Sequence, residues 1–264
     1  MFSACKKSLA LLTLVALSQL TACGKDDSAE NFEVFSVGDK TTITKYKGTS
    51  PVVNIPSIME GRTVTEIGEK AFYQCAGLTE VAIPDSVKQI DHNAFGGCTG
   101  LTKVNIPNSV TEIGSSVFEG CESLTEVTIP DSVTKIGESA FSFCTGLTKI
   151  TIPNSVTEIG EKAFLGCESL TELNIPDSVR LIGDGAFEDC TALTDITIPN
   201  SVTEISSSAF HSCTGLTDIT IPNSITKIGD SAFSNCTGLK EVNVPKGTVY
   251  SSTAFPHGCK ITKD

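Results

Sequence analysis

The sequence predicts a β-rich repeat solenoid of about eight to nine 23-residue repeats closed at its N-terminal end by a β-hairpin. Three observations predict it. Ile83-Pro84, Ile106-Pro107, Ile129-Pro130, Ile152-Pro153, Ile175-Pro176, Ile198-Pro199 and Ile221-Pro222 recur every 23 residues, and Val244-Pro245 continues the series. Each Ile-Pro is preceded by a short run in which apolar and polar residues alternate, the period of a strand. Between copies no segment is long enough to form a stable helix of its own.

Each element of one repeat has a physical reading. The copies align on Leu78, Leu101, Leu124, Leu147, Leu170, Leu193, Leu216 and Leu239. After Leu124, Val127 and Ile129 alternate with Glu126 and Thr128 as in a strand buried on one face. Proline lacks the N–H that a ladder needs, so Pro130 ends the strand, and Asp131-Ser132 supplies turn chemistry. Val133 and Ile136 form a second apolar pair. Gly137 after it is expected to make a left-handed corner, although Asp91 and Ser206 stand at that position in two copies. Ala140-Phe141 and Cys144 then complete the coil on a single helical or 3₁₀ turn. One such coil cannot bury its apolar face, but stacked coils align their leucines, isoleucines, phenylalanines and cysteines into continuous columns.

Cys75, Cys98, Cys121, Cys144, Cys167, Cys190, Cys213, Cys236 and Cys259 stand 23 apart. They read as a column of small buried thiols. Bridging between neighbouring coils is the alternative, though nine is odd and no copy has a second cysteine. A metal site fits least, because no CxxC spacing exists.

The ends differ from the array. Residues 1–22 read as a signal peptide, with basic Lys6-Lys7, an apolar run too short to span a membrane and a small-residue processing site. Leu20-Thr21-Ala22-Cys23 resembles a bacterial lipobox, which implies cleavage before Cys23 and lipid on that residue. Residues 23–31 form the lipidated cysteine and a polar, patternless tether. Lys25-Asp26-Asp27 resembles the surface-export signal of Bacteroidetes lipoproteins, which implies the outer membrane, with the chain exposed at the cell surface. Residues 32–54 are expected to form the hairpin cap, turning at Gly38-Asp39, and residues 55–264 the solenoid with its C-terminal cap. Around MEGRT the first unit carries five extra residues.

The repeat resembles the BspA-like (Treponema pallidum type) class of leucine-rich repeats over residues 55 to 259, with L-x-x-[VI]-x-I-P-x-S-V-x-x-I-G-x-x-A-F-x-x-C. That resemblance implies a leucine-rich-repeat horseshoe, a curved right-handed coil with strands along one face. It also implies a surface antigen of the kind associated with adhesion to host matrix, host cells or other bacteria.

The formal net charge is −12, and removing residues 1–22 takes it to −14, which disfavours nucleic acid and anionic lipid as partners. His92, His211 and His257 occupy non-equivalent repeat positions, and no phosphate loop, nucleophile elbow or calcium loop occurs. No catalytic residue, cofactor or metal is therefore expected. What remains is surface. The residue two after each leucine faces solvent, and in order these are Glu80, Lys103, Glu126, Lys149, Glu172, Asp195, Asp218 and Glu241. The first four alternate in sign and the last four are acidic, so Glu172, Asp195, Asp218 and Glu241 are the candidate partner-binding residues. A solvated face that keeps the sheet soluble, and a calcium site, are the other readings of that strip. The expected protein is a monomeric, non-catalytic surface lipoprotein held to the membrane by its lipid and binding an extracellular or host protein. The alternatives are a carbohydrate-binding accessory of an uptake system, for which only Tyr46, Tyr73 and Tyr250 and no Trp could stack on sugars, and an antigenic coat protein without a specific ligand.

Overall fold

The structure, a computed structural model, describes residues 28–263 and is an all-β solenoid of about ten turns with 23-residue repeats. Cys23 and the segment before it lie outside the described residues. The three residues Ala29–Asn31, read above as the end of the tether, form a 3₁₀ turn, and the Asn31 carbonyl accepts the Lys47 N–H at 2.7 Å.

At the N-terminal end β1 (Phe32–Val37) and β2 (Lys40–Tyr46) form an antiparallel hairpin, with Gly38 at φ +59° in its turn. After β3 (Val52–Asn54), β4 (Ile58–Met59) folds back on β5 (Arg62–Ile67) around Glu60 and Gly61, whose φ values are 52° and 73°. The extra residues around MEGRT are thus a second hairpin, with two consecutive left-handed residues as a tight turn needs. β2 runs parallel to β5, so the first hairpin continues the stacking of the coils.

The regular coils contribute two strand segments each, except that the coil of Ile221 has only the second. The first precedes Ile-Pro, as in Glu126–Thr128, which pairs in parallel with Lys149–Thr151. The second precedes the glycine, as in Lys135–Ile136, paired with Glu112–Ile113 on one side and Glu158–Ile159 on the other. Through the regular array the paired residues stand 23 apart, so the repeat period becomes a row of like positions, whereas at the C-terminal end Glu241 faces Lys260 and Lys227 faces Val249.

The third side of the coil is not helical. Ala140 N–H reaches Gly137 O (3.4 Å) and Cys144 N–H reaches Phe141 O (3.2 Å), both three residues back, while Phe141 N–H crosses to Ala163 O of the next coil (2.8 Å). Successive turns that bond alternately within and between coils replace the expected helical turn. The left-handed corners lie at Ser139 (φ 53°) and Phe143 (φ 57°), and at the equivalent positions of other coils.

The glycine of the Ile-Gly step is therefore not the left-handed corner it was expected to be. Its reason is space. A Cβ on Gly137 would lie 2.8 Å from Gly114 C and Ile113 O, and one on Gly160 would lie 2.7 Å from Gly137 C. The coils touch backbone to backbone there. Ser206 fits because its hydroxyl donates to Ile182 O at 2.5 Å, the carbonyl type that the glycine N–H engages elsewhere, as in Gly137 N–H to Ile113 O at 2.8 Å. Replacing Gly160 with alanine is expected to cost about 1–3 kcal/mol by overpacking. A thermal melt that stays unchanged would show that the backbones separate without cost.

The core is a set of parallel columns. Phe72, Phe95, Phe118, Phe141, Phe164, Phe187, Phe210 and Phe233 are fully buried and stacked, and Tyr46 and Phe255 extend the column at its two ends. From Phe95 onward the ring centroids are 5.3–5.6 Å apart. That exceeds the strand spacing of about 4.8 Å, so successive rings are offset or spread relative to the paired strands. Beside the rings the thiols of Cys98 through Cys236 each donate to the Phe carbonyl of the preceding coil, as Cys144 Sγ does to Phe118 O at 3.2 Å. The nine repeat cysteines are free thiols. Polar side chains stitch the outside: Ser132, Ser155, Ser178 and Ser201 donate to the Val carbonyl of the coil before, at 2.5–2.6 Å. The serine after Ile-Pro-x is thus a clamp between coils as well as a turn residue.

Candidate interaction face

The first strand face carries the candidate strip. Strand alternation buries Val127, Ile150, Leu173 and Ile196 and turns their neighbours outward. Glu172 and Asp195 are exposed and directly opposite on paired strands, which places like charges at cross-strand distance. Asp218 is exposed on a segment with no strand hydrogen bonding, and its carboxylate accepts the Thr217 hydroxyl at 3.1 Å. Glu241 stands opposite Lys260 and is paired with it at 2.7 Å. The four candidate acids therefore divide: Glu172 and Asp195 form a like-charged pair with no ion pair of their own among the described residues, Asp218 flanks it, and Glu241 is offset by a lysine outside the repeat frame. In the alternating half, Lys103 bridges Glu80 at 3.2 Å, whereas Glu126 and Lys149 share a register without forming an ion pair among the described residues.

Two features of the strand surfaces add to the candidate strip, one on this face and one on the second strand row. The third strand position lies on the same face as the charged one, and it supplies Asn105, Thr128, Thr151, Asn174 and Thr197. With Asn108, Asp131 and Asn154 of the Ile-Pro corners, four of these residues line an open groove of about 700 Å³. A second hollow of about 300 Å³ lies over Lys149, Glu172, Asn174 and Asp195 and shares Thr151 with the groove. The signal was the period-2 alternation itself, which puts both positions outward; charge alone drew the eye to one of them. The other feature is a second charged row before Ile-Gly, where Lys135 bridges Glu158 at 3.0 Å and Lys227 bridges Glu204. These pairs are exposed, so solvent screening leaves each of them little to contribute.

The face is a hydrogen-bonding surface of amides, hydroxyls and carboxylates. Of the three tyrosines, Tyr46 is buried under the cap, Tyr250 packs on Phe255 and Tyr73 is on the turn side. Phe143, the other exposed ring of the turn side, holds a left-handed backbone and lies over Gly166 of the next coil. His211 contacts both Glu188 (3.2 Å) and Ser212 (3.2 Å) through Nδ1, with Asn235 on Nε2. Serine and carboxylate share one ring nitrogen there, so the set lacks the relay of a nucleophile activated by an oriented base. No group of three or more metal-ligating side chains occurs among the described residues, nor any helix long and apolar enough to cross a membrane.

The period, the paired strand rows and the phenylalanine column define a leucine-rich repeat solenoid. The chain belongs to the BspA type leucine rich repeat family, whose model matches residues 65–177 and 157–263, a repeat family that is generally non-catalytic. Among solved structures it is similar to the T. pallidum Leucine Rich Repeat protein, at 32% identity over 81% of this chain and 91% of that one, with a TM-score of 0.59. It is also similar to a leucine-rich repeat protein from Bacteroides ovatus ATCC 8483, at 27% identity over 91% of this chain and 77% of that one, with a TM-score of 0.63. Comparison with curated proteins gave no match.

Proposed function

We propose that this is a lipid-anchored protein of a bacterial outer membrane, displayed at the cell surface, whose first strand face binds an extracellular or host protein without catalysis. The anchor rests on the lipobox resemblance at Cys23. The binding role rests on one observation: Glu172 and Asp195 stand opposed on adjacent strands, in no ion pair among the described residues and with Lys149 on one flank, beside an open groove of amides and hydroxyls. Opposed like charges cost stability in the free protein, and a basic partner would relieve that cost. The carbohydrate reading is weaker, because no aromatic ring stands on this face among the described residues.

The test is a binding screen on the immobilised chain lacking residues 1–23, with matrix proteins, host-cell lysate and a glycan array at physiological salt. Saturable binding to protein is expected, weakened about tenfold or more by Glu172→Lys with Asp195→Lys, since like-charge juxtaposition costs several kcal/mol. Binding that survives the double substitution would move the site off the acidic pair. A response to glycans alone would replace the protein partner with a sugar, and silence throughout would leave a coat protein.

A further inference from the structure

The N-terminal cap carries an apolar patch that the stacking does not use. Phe35, Val37 and Ile58 are 63%, 66% and 63% exposed. They share one face of the sheet. Phe35 and Val37 alternate along β1, and the registers Val37↔Lys40, Lys40↔Thr63 and Thr63↔Ile58 carry the row across β2 and β5 to β4. The row spans three strand spacings, about 14 Å. The opposite face of the same strands is the core, with Val34 paired to Ile43 and Thr41 to Val64.

Two observations say what covers the patch. The first is charge. Residues 28–63 hold four acids and four bases, so the cap is neutral, whereas residues 64–264 carry a net −13. Lys40 and Thr63, both exposed, stand between Val37 and Ile58 in the row, and Glu60 is paired with Arg62 at 3.9 Å. The second is tether length. Cys23 lies nine residues before Phe32, a reach of at most about 30 Å when fully extended. A lipid on Cys23 would hold this cap within that distance of the membrane whatever the direction in which the coils behind it project.

We propose that the cap face is a membrane seat. In the anchored protein Phe35, Val37 and Ile58 enter the headgroup–acyl boundary of the leaflet that holds the Cys23 lipid. The anionic coils are repelled from the surface and project outward. A patch this small would not recruit the protein by itself. The tether supplies the effective concentration, and the patch sets the orientation in which the strand face is presented. This inference rests on the reading of Cys23 as lipidated.

The chain contains no tryptophan, so Phe35→Trp is a single-site optical reporter, with Phe143→Trp on the turn side of a middle coil as its control. Each acylated full-length variant is reconstituted into phosphatidylethanolamine–phosphatidylcholine vesicles, with or without lipids brominated high on their acyl chains. The expected result is emission from the Phe35→Trp reporter shifted to the blue and quenched at least about fivefold more strongly than the control, as burial 5–10 Å deep requires. A protein that floats with the vesicles while this reporter stays unquenched overturns the seat and leaves the anchor intact. An unquenched reporter whose blue shift grows with surface density shows a second copy covering the patch, and overturns the seat as well. A chain that does not float, or floats equally as Cys23→Ala, removes the anchor and the seat with it.

Discussion

Phe164→Ala is expected to destabilise the solenoid by about 3–5 kcal/mol and to split its unfolding into two steps. Phe164 is fully buried, with Phe141 stacked on one side at 5.5 Å and Phe187 on the other at 5.4 Å. Truncation removes both stacking contacts, each about 0.5–1.5 kcal/mol beyond area, and opens a void between coils whose backbones are already in contact. Because each coil touches only its neighbours, the lesion weakens the interface in the middle of the array. Urea unfolding followed by circular dichroism should show a lower midpoint and a shallower slope, as the two halves cease to melt together. The same change at Phe255, half-buried at the C-terminal end, should cost less and leave the slope unaltered, since only a terminal coil frays. Equal effects at the two positions would mean that the rings fill space independently rather than as a column.

That contrast shows which features could be read from the sequence. A 23-residue period with Phe at one place requires a Phe column, because a parallel stack brings equivalent residues together; the same logic applies to Ile-Pro and to cysteine. The hairpin at Gly38-Asp39 was equally legible, as a turn pair between two alternating runs. The role of the Ile-Gly glycine was not. Its left-handed reading came from intrinsic propensity, whereas its cause is the approach of the coil before, 2.8 Å from a would-be Cβ on Gly137. The true left-handed corners carry Gly97, Gly120, Gly166 and Gly185 and the tolerant Asn93, Asp189 and Asn235, but also Ser139, Lys162, Gln74 and even Phe143, residues whose propensity argues against that conformation, so tertiary context overrides it at those. In the candidate site, the outward direction of Glu172 and Asp195 followed from alternation, but the neutralisation of Glu241 did not. Lys260 lies in the irregular C-terminal segment, 19 residues on rather than 23, so no repeat frame predicts it.

The cysteine column makes the second large prediction, a steep loss of stability in alkali. Burial pushes the thiols of Cys98, Cys144 and Cys190 up to about 12 from 9.0, and burial raises Cys121 and Cys167 well above that ordinary value. Cys213 is raised well above it too, first by its hydrogen bond with Cys236 and then by burial. The folded thiols keep their protons where the unfolded ones lose them. The unfolded chain then binds fewer protons, so stability is intact below pH 9 and falls as pH rises from there through the folded values. Each fully ionised unfolded thiol contributes a slope of about 1.4 kcal/mol per pH unit. Removing one thiol separates this effect from the titration of lysines and tyrosines. Cys144→Ala should be less stable than the native chain at pH 7, through the lost packing and the lost bond to Phe118 O. Above pH 9 its deficit should shrink by about 1.4 kcal/mol per pH unit, and the two stability curves should converge. Parallel curves would mean that Cys144 is not a buried, protonated thiol in solution. Bridging between coils would give that result in oxidised protein and lose it on reduction, so the same pair of titrations, with and without reductant, decides between a column of thiols and a column of disulfides.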